Sequence, residues 1–391
     1  MNLDQTIIRF EHDFAALLLC ASSTRTQEMI AGAENVYLMA PSSFIGISYA
    51  PILARRLAEQ GKRVVFVDDH YAQCGIQPGD WPVISSLAFV DQSNRGGKSV
   101  AINLGYSPFT FGYFNQASVK ANMPELDIVA VMDLFEVPVI YQTVSLMRAQ
   151  TIARADDYRA LARRLADPLS VNTLLALLKL RLNLDRAALL PVLCSQEDEY
   201  FTSYPGGSTD TFKLDTQEVL CDIGAHVGTT INKFLNATHW KYSAIHAFEP
   251  DVENYSSLKK GHFATLPNFY VHNIALSDTC SFLQFAQTGT MGSRLAANGN
   301  VQVQARPLDD VVEYATFIKM DVEGHETSVL RGARKLIQKH APRLAVTGYH
   351  YANDLLDIVK LILELESRYE LRLRHHSLYF YDSIIYAQVR P

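Results

Sequence analysis

The chain has 391 residues, 48% hydrophobic and 19% charged, with a net charge of −6. That balance is ordinary for a globular protein, and the length predicts two domains. With no dense Lys/Arg run and no CxxC pair among the five scattered cysteines, nothing favours a nucleic-acid partner, an anionic membrane, a disulfide framework or a zinc site.

The apolar run 14–20 follows Asp13 and is too short for a secretory core or a bilayer span. No integral membrane segment and a cytoplasmic location are therefore expected. Residues 1–30 read as a leader helix. A buried strand at 36–40, a helix at 49–60 closed by Gly61, and a second strand at 63–67 ending in Asp68-Asp69 make a βαβ unit. Further strands are expected at 83–84, 99–104 and 128–132. The Leu/Ala/Arg-rich stretch 148–193 has helical spacing and predicts two helices broken near Asp167-Pro168. Ser203-Tyr-Pro-Gly-Gly-Ser208 has loop chemistry and places a boundary.

Beyond it, strands are expected at 219–223, 244–248, 268–271, 316–320, 343–347, 369–374 and 383–389. No helix fits between the last two, which read as an antiparallel hairpin. Five crossover strands capped by a hairpin is the class I methyltransferase layout. The expected fold is α/β, with two Rossmann-like three-layer domains joined by a helical connector. The divisions are 1–147, 148–205 and 206–391.

The chemistry concentrates at strand ends. The strand 219–223 runs into a turn holding Gly224 and Gly228, and the next strand ends at Phe248-Glu249-Pro250. Such a pattern holds an adenosine, with an acid on the second strand bonding the ribose. Asp222 precedes the first glycine. A carboxylate ~5 Å from a phosphate would cost about 3 kcal/mol at an effective dielectric near 20, which disfavours a dinucleotide. S-adenosylmethionine has no phosphate and carries an ammonium and a sulfonium, so an acid there suits it. Asn273-Ile-Ala275 follows the third strand, where backbone and amide groups would meet an adenine. Lys319-Met-Asp-Val-Glu-Gly-His-Glu326 puts Asp321 and Glu323 at a strand's carboxyl end, with Gly324 allowing a sharp exit. His325 and Glu326 suit a first helical turn. Tyr349-His350-Tyr351 ends the next strand, where His350 is a candidate general base. Ser293 and Arg294 lie in a loop after a β-hairpin, within reach of substrate or cofactor.

These motifs, with the closing Ser383-Ile-Ile-Tyr386 strand, resemble the FkbM-family methyltransferases over about residues 200–390. The resemblance implies S-adenosylmethionine as donor and O-methylation of a hydroxyl, often on a sugar or polyketide. His226 stands where the family usually has asparagine, at the methionine end of the donor. The donor-site reading is Asp222, Gly224, His226, Gly228, Glu249, Asn273, Ala275 and Asp321. Asp321 and His350 are the catalytic candidates, deprotonating or orienting a small-molecule or glycan acceptor. Asp321 and Glu323 lack a third oxygen ligand at fixed spacing, so a metal-free mechanism ranks first. Leu165-Ala-Asp-Pro-Leu-Ser170, Arg181 and Glu199-Tyr-Phe201 resemble a segment preceding the catalytic domain in longer bacterial members. In the N-terminal unit, Pro41-Ser-Ser-Phe-Ile-Gly46 has one glycine where a dinucleotide turn needs three. Asp68 and Asp69 still look like ribose ligands there. Two alternatives therefore stay open: a nucleotide-sugar-binding enzyme, and a non-catalytic scaffold that keeps an S-adenosylmethionine pocket.

Overall fold

A computed structural model describes residues 2–20, 24–93, 98–137, 144–202, 212–287, 294–295 and 298–390. In the N-terminal part, β1 (Asn35–Met39), β2 (Arg63–Val67), β3 (Val83–Ile84), β4 (Ser99–Asn103) and β5 (Glu125–Asp127) form a wholly parallel sheet. Its order, β3-β2-β1-β4-β5, is that of a doubly wound sheet, with helices Phe44–Glu59 and Pro108–Lys120 among its crossovers.

Three expectations need correction here. The segment 128–132 is not a strand but most of the helix Ile128–Leu134. Its residues are all buried, and such a run reads alike in helix and strand. Asp127 decides the matter by accepting from the Val129 amide and starting the helix. The leader is two helices, Leu3–Cys20 and Thr24–Gly32. The connector has three, Val144–Ala153, Ala155–Ala162 and Pro168–Asn183. Its break does fall at Asp167-Pro168, where Asp167 takes the Ser170 amide and Pro168 fills the first helical position. The expected loop Ser203 to Ser208 lies outside the described residues.

The C-terminal part contains β6 (Val219–Ile223), β7 (Ala244–Phe248), β8 (Phe269–His272), β9 (Ala275–Leu276), β10 (Ser281–Ala286), β11 (Arg294–Leu295), β12 (Val301–Arg306), β13 (Phe317–Met320), β14 (Arg343–Thr347), β15 (Tyr369–His375) and β16 (Ser383–Val389). Seven of them form one sheet, ordered β15-β16-β14-β13-β6-β7-β8. The pairs from β14 to β8 are parallel, and β16 is antiparallel to both its neighbours. This is the class I methyltransferase layout read from the sequence. The short strands β9 to β12 form a small separate sheet. All five residues of β6 and all four of β13 are buried, as central strands covered on both faces must be.

The two large sheets share a core. One buried cluster includes Val36 and Ile102 of the first sheet, Leu174 and Leu178 of the helix Pro168–Asn183, and Ile318 and Val346 of the second. A buried ion pair reinforces the junction. Arg186 is fully buried, 2.8 Å from Asp127, and donates to the Gly105 carbonyl. Its guanidinium also lies 5.0 Å from the Tyr379 ring in the β15–β16 loop. No helix among the described residues is long and apolar enough to cross a membrane.

Candidate active site

The site lies at the carboxyl ends of β6, β7, β13 and β14, where a doubly wound sheet leaves a crevice. The β6 turn is shaped by packing. Gly224 has φ +77, and a Cβ there would sit 1.9 Å from the Asp321 carbonyl oxygen. Only glycine lets the β6 and β13 turns approach this closely. Gly228, at φ +89, likewise leaves room for the Phe263 ring. It precedes the helix Thr229–Ala237 and brings no side chain to cap it, so the first-turn amides are left for other partners.

Glu249 stands at the end of β7. Its Oε2 accepts from the His226 amide at 2.7 Å and its Oε1 from the Asp251 amide at 2.9 Å. Burial pushes its carboxyl up while those two amides pull it back. A carboxylate has about four acceptor positions, so two hydroxyls can still be bonded. His226 adopts φ +50 to place its amide there. Burial and Lys319 lower the pKa of its half-buried ring. Asn273 donates to the carbonyls of Glu249 and Pro250, tying the β8 end to the β7 turn. Ala275 opens β9 and pairs in register with Ala305.

Asp222 lies near the end of β6. It is fully buried and lies opposite Lys319 on the adjacent parallel strand, so the two side chains share a face. Lys319 Nζ is 3.1 Å from Asp222 Oδ1 and donates to the Gly224 carbonyl at 2.8 Å. Burial opposes the ammonium, but Asp222 and Asp321 hold it charged. Burial pushes the Asp222 carboxyl up, against the pull of Lys319. Through the Gly224 carbonyl, Lys319 fixes the glycine turn.

At the β13 and β14 ends the structure gathers a polar cluster. Asp321 Oδ2 accepts from the Tyr200 hydroxyl at 3.2 Å. His350 Nε2 lies 3.5 Å from Asp321 Oδ1 and 3.7 Å from Glu323 Oε2, and its Nδ1 lies 3.2 Å from Glu326 Oε1. Burial works against charge on this ring, yet Glu326, Asp321 and Glu323 raise its pKa to about 9. That direction favours a ring that donates toward its carboxylates. Gly324, at φ +97, lies under the Tyr351 ring, where a Cβ would be 2.2 Å from it. His325 is turned away, its Nε2 3.0 Å from the Ser277 hydroxyl. Arg294 is exposed on β11, and Ser293 lies outside the described residues.

The sequence reading missed the connector's part in this cleft. Tyr200 donates its backbone amide to the Tyr386 hydroxyl, which seats it against Asp321. Glu199 is pushed up to about 7, by burial first, then by Asp321 against the pull of Lys233. Asp382, in the β15–β16 loop, is also pushed up to about 7, by burial and then by Glu199 and Asp321. The resemblance of Glu199-Tyr-Phe201 to a family segment was the one available signal.

The N-terminal sheet presents a different edge. Asp68 accepts from the Ser42 amide and hydroxyl and from the Tyr71 amide. Asp69 accepts from the Ser86 amide and hydroxyl and from the Tyr113 hydroxyl. Both acids are engaged by their own chain, which corrects their reading as ribose ligands and leaves the nucleotide call without support.

The methyltransferase FkbM domain model matches residues 222–370. The hexuronic acid methyltransferase AglP of Haloferax volcanii is 24% identical over 180 residues, which are 42% of this chain and 72% of that protein. A crystal structure of methyltransferase FkbM from Methylobacillus flagellatus KT aligns with 97% of this chain and 100% of its own, with a TM-score of 0.70. At 24% identity that likeness speaks for the fold alone.

Proposed function

We propose, from the premise that residues 222–370 of this chain are an FkbM methyltransferase domain, that the protein is an S-adenosylmethionine-dependent O-methyltransferase acting on a hydroxyl of a sugar, polysaccharide or secondary metabolite. The observation that carries this reading is Glu249, held by two backbone amides at the end of β7 beside a glycine turn and a helix start without a side-chain cap. A fixed carboxylate suits the two ribose hydroxyls. The free first-turn amides of helix Thr229–Ala237 suit the carboxylate at the methionine end. Asn273 and Ala275 border the adenine in this reading.

S-adenosylmethionine supplies a methyl group already activated on a sulfonium. The protein's task is to bring the acceptor oxygen to about 3 Å, in line with the leaving sulfur. Asp321 is the group we assign to orient that hydroxyl and accept its proton as the oxygen–carbon bond forms and the carbon–sulfur bond breaks. Tyr200 fixes Asp321 from the connector side, and His350 from β14. The sugar acid in the name of the archaeal relative supports a sugar acceptor.

The test is incubation of the full chain with ¹³C-methyl S-adenosylmethionine and a panel of mono- and polysaccharides, read by NMR. A new O-methyl carbon on a sugar is expected. Methyl transfer to nitrogen or carbon alone would contradict O-methylation.

A further inference from the structure

Aromatic rings line the junction between the carboxyl edges of the two large sheets. In the first sheet the strand order reverses between β1 and β4, and a doubly wound sheet opens its binding crevice at that point. First-turn amides that a phosphate would use are engaged there. Ser43 accepts from the Gly46 amide and Ser107 from the Thr110 amide, in the helices that follow the two strands. What those helices offer outward is apolar. Phe44, at the start of one, is 69% exposed, and Phe109, at the start of the other, is 84% exposed. Ile47, three residues beyond Phe44, is exposed too. Large apolar side chains left in water at such a crevice mark a binding surface.

The rings lead on to the methyltransferase crevice. Phe44 packs on the half-buried Tyr106, with ring centroids 5.0 Å apart, and Tyr106 packs on Tyr379 at 5.4 Å. Tyr379 stacks on Tyr381 at 5.4 Å, and Tyr381 is hydrogen-bonded to Tyr106. Tyr379 and Tyr381 belong to the β15–β16 loop. Because β16 is antiparallel to both β14 and β15, that loop lies at the same edge as the carboxyl end of β14. Asp382, next in the chain, is within electrostatic reach of Glu199 and Asp321. The line of rings therefore ends at carboxylates, beside the group assigned to the acceptor hydroxyl. A saccharide has this double character. Its C–H faces pack on aromatic rings, and its hydroxyls donate to carboxylates. Rings alone would suit a protein partner as well, and the carboxylates at their end favour the saccharide. We infer that Phe44, Tyr106 and Phe109 form a docking surface for an extended saccharide acceptor, which passes over the β15–β16 loop to reach Asp321. The inference rests on the methyltransferase reading for its direction, and it gives the N-terminal sheet a part in substrate recognition.

Calorimetric titration of the full chain with maltohexaose, chitohexaose and hexagalacturonate, without methyl donor, tests this. At least one is expected to bind, and its affinity should fall about tenfold in the double variant Phe44→Ala, Phe109→Ala, which loses two ring contacts. Saturating the aromatic protons should carry magnetisation to the sugar C–H protons in wild-type protein and far less in the variant. Melting temperature and S-adenosylmethionine affinity, measured on the variant, report whether it folds. Phe109→Ala alone is the substitute where it does not. Binding of none of the three, or binding indifferent to the substitutions in folded protein, overturns the inference. So does a wild-type dimer that becomes monomeric in the variant, because the rings would then face a second copy. Ring-dependent saccharide binding in a protein that transfers no methyl group would instead overturn the methyltransferase reading and leave the docking surface standing.

Discussion

The two large sheets end in edges that resemble each other in sequence and differ in what their polar groups do. At the first, Ser43, Asp68, Ser107 and Asp127 each turn a side chain back to a first-turn amide of the helix that follows. That edge satisfies itself. At the second, the helices beginning at Thr229, Glu326 and Asp354 start without a side-chain cap bond. Of these, the helix Thr229–Ala237 starts beside Glu249, and its first-turn amides have capacity left for a ligand. An acid at the end of the second strand is thus not a sufficient sign of a nucleotide site. The acids differ in how many bonds they accept from their own chain, three at Asp68 and three at Asp69 against two at Glu249.

This contrast can be broken by substitution, and the largest effect is expected where the first sheet is tied to the rest. Arg186→Ala leaves Asp127 buried without its partner and should cost about 3–5 kcal/mol of stability. Urea unfolding would show it, and the folded fraction should bind donor normally. A loss of donor affinity without loss of stability would mean the first sheet takes part in binding. Next comes Glu249→Ala. Losing two hydrogen bonds to a charged acceptor, at about 1.5 kcal/mol each, predicts a fall of about 100-fold in S-adenosylmethionine affinity by calorimetry.

The second sheet should also be the acid-sensitive one. His375 is lowered to about 3 and His376 to about 4, both mainly by burial. In the unfolded chain each ring would titrate near 6.5, so the unfolded state takes up protons that the folded state refuses. The stability from keeping these rings neutral is complete above about pH 6.5 and is lost as pH falls toward their folded values. Melting temperature should drop across that window, and His375→Gln should flatten the slope. An unchanged slope would remove His375 as a cause. The smallest effect is Ser43→Ala, which removes one cap from the first sheet and should cost about 1 kcal/mol without touching donor affinity. Altered donor binding in this variant would show that the first edge is not closed on itself.

Much of the fold was legible because apolar runs are punctuated by turn residues. Strands 219–223, 244–248, 343–347 and 383–389 fall where they were read. The misread segment 128–132 is buried all round and has no period to read. The glycine turn after β6 and the position of Glu249 after β7 were legible because their signals are local. The partner of Asp222 was not legible because strand register brings Lys319 beside it from 97 positions away. Tyr200 was missed for the same reason, lying 121 positions from Asp321. Spacing along the chain does not record such contacts.

Calorimetric titration with S-adenosylmethionine and, separately, with NAD is the most direct test, using wild-type protein, Glu249→Ala and Asp68→Asn. The account predicts micromolar S-adenosylmethionine binding, lost in Glu249→Ala and kept in Asp68→Asn, with no NAD binding. NAD binding that depends on Asp68, or S-adenosylmethionine binding indifferent to Glu249, would contradict it.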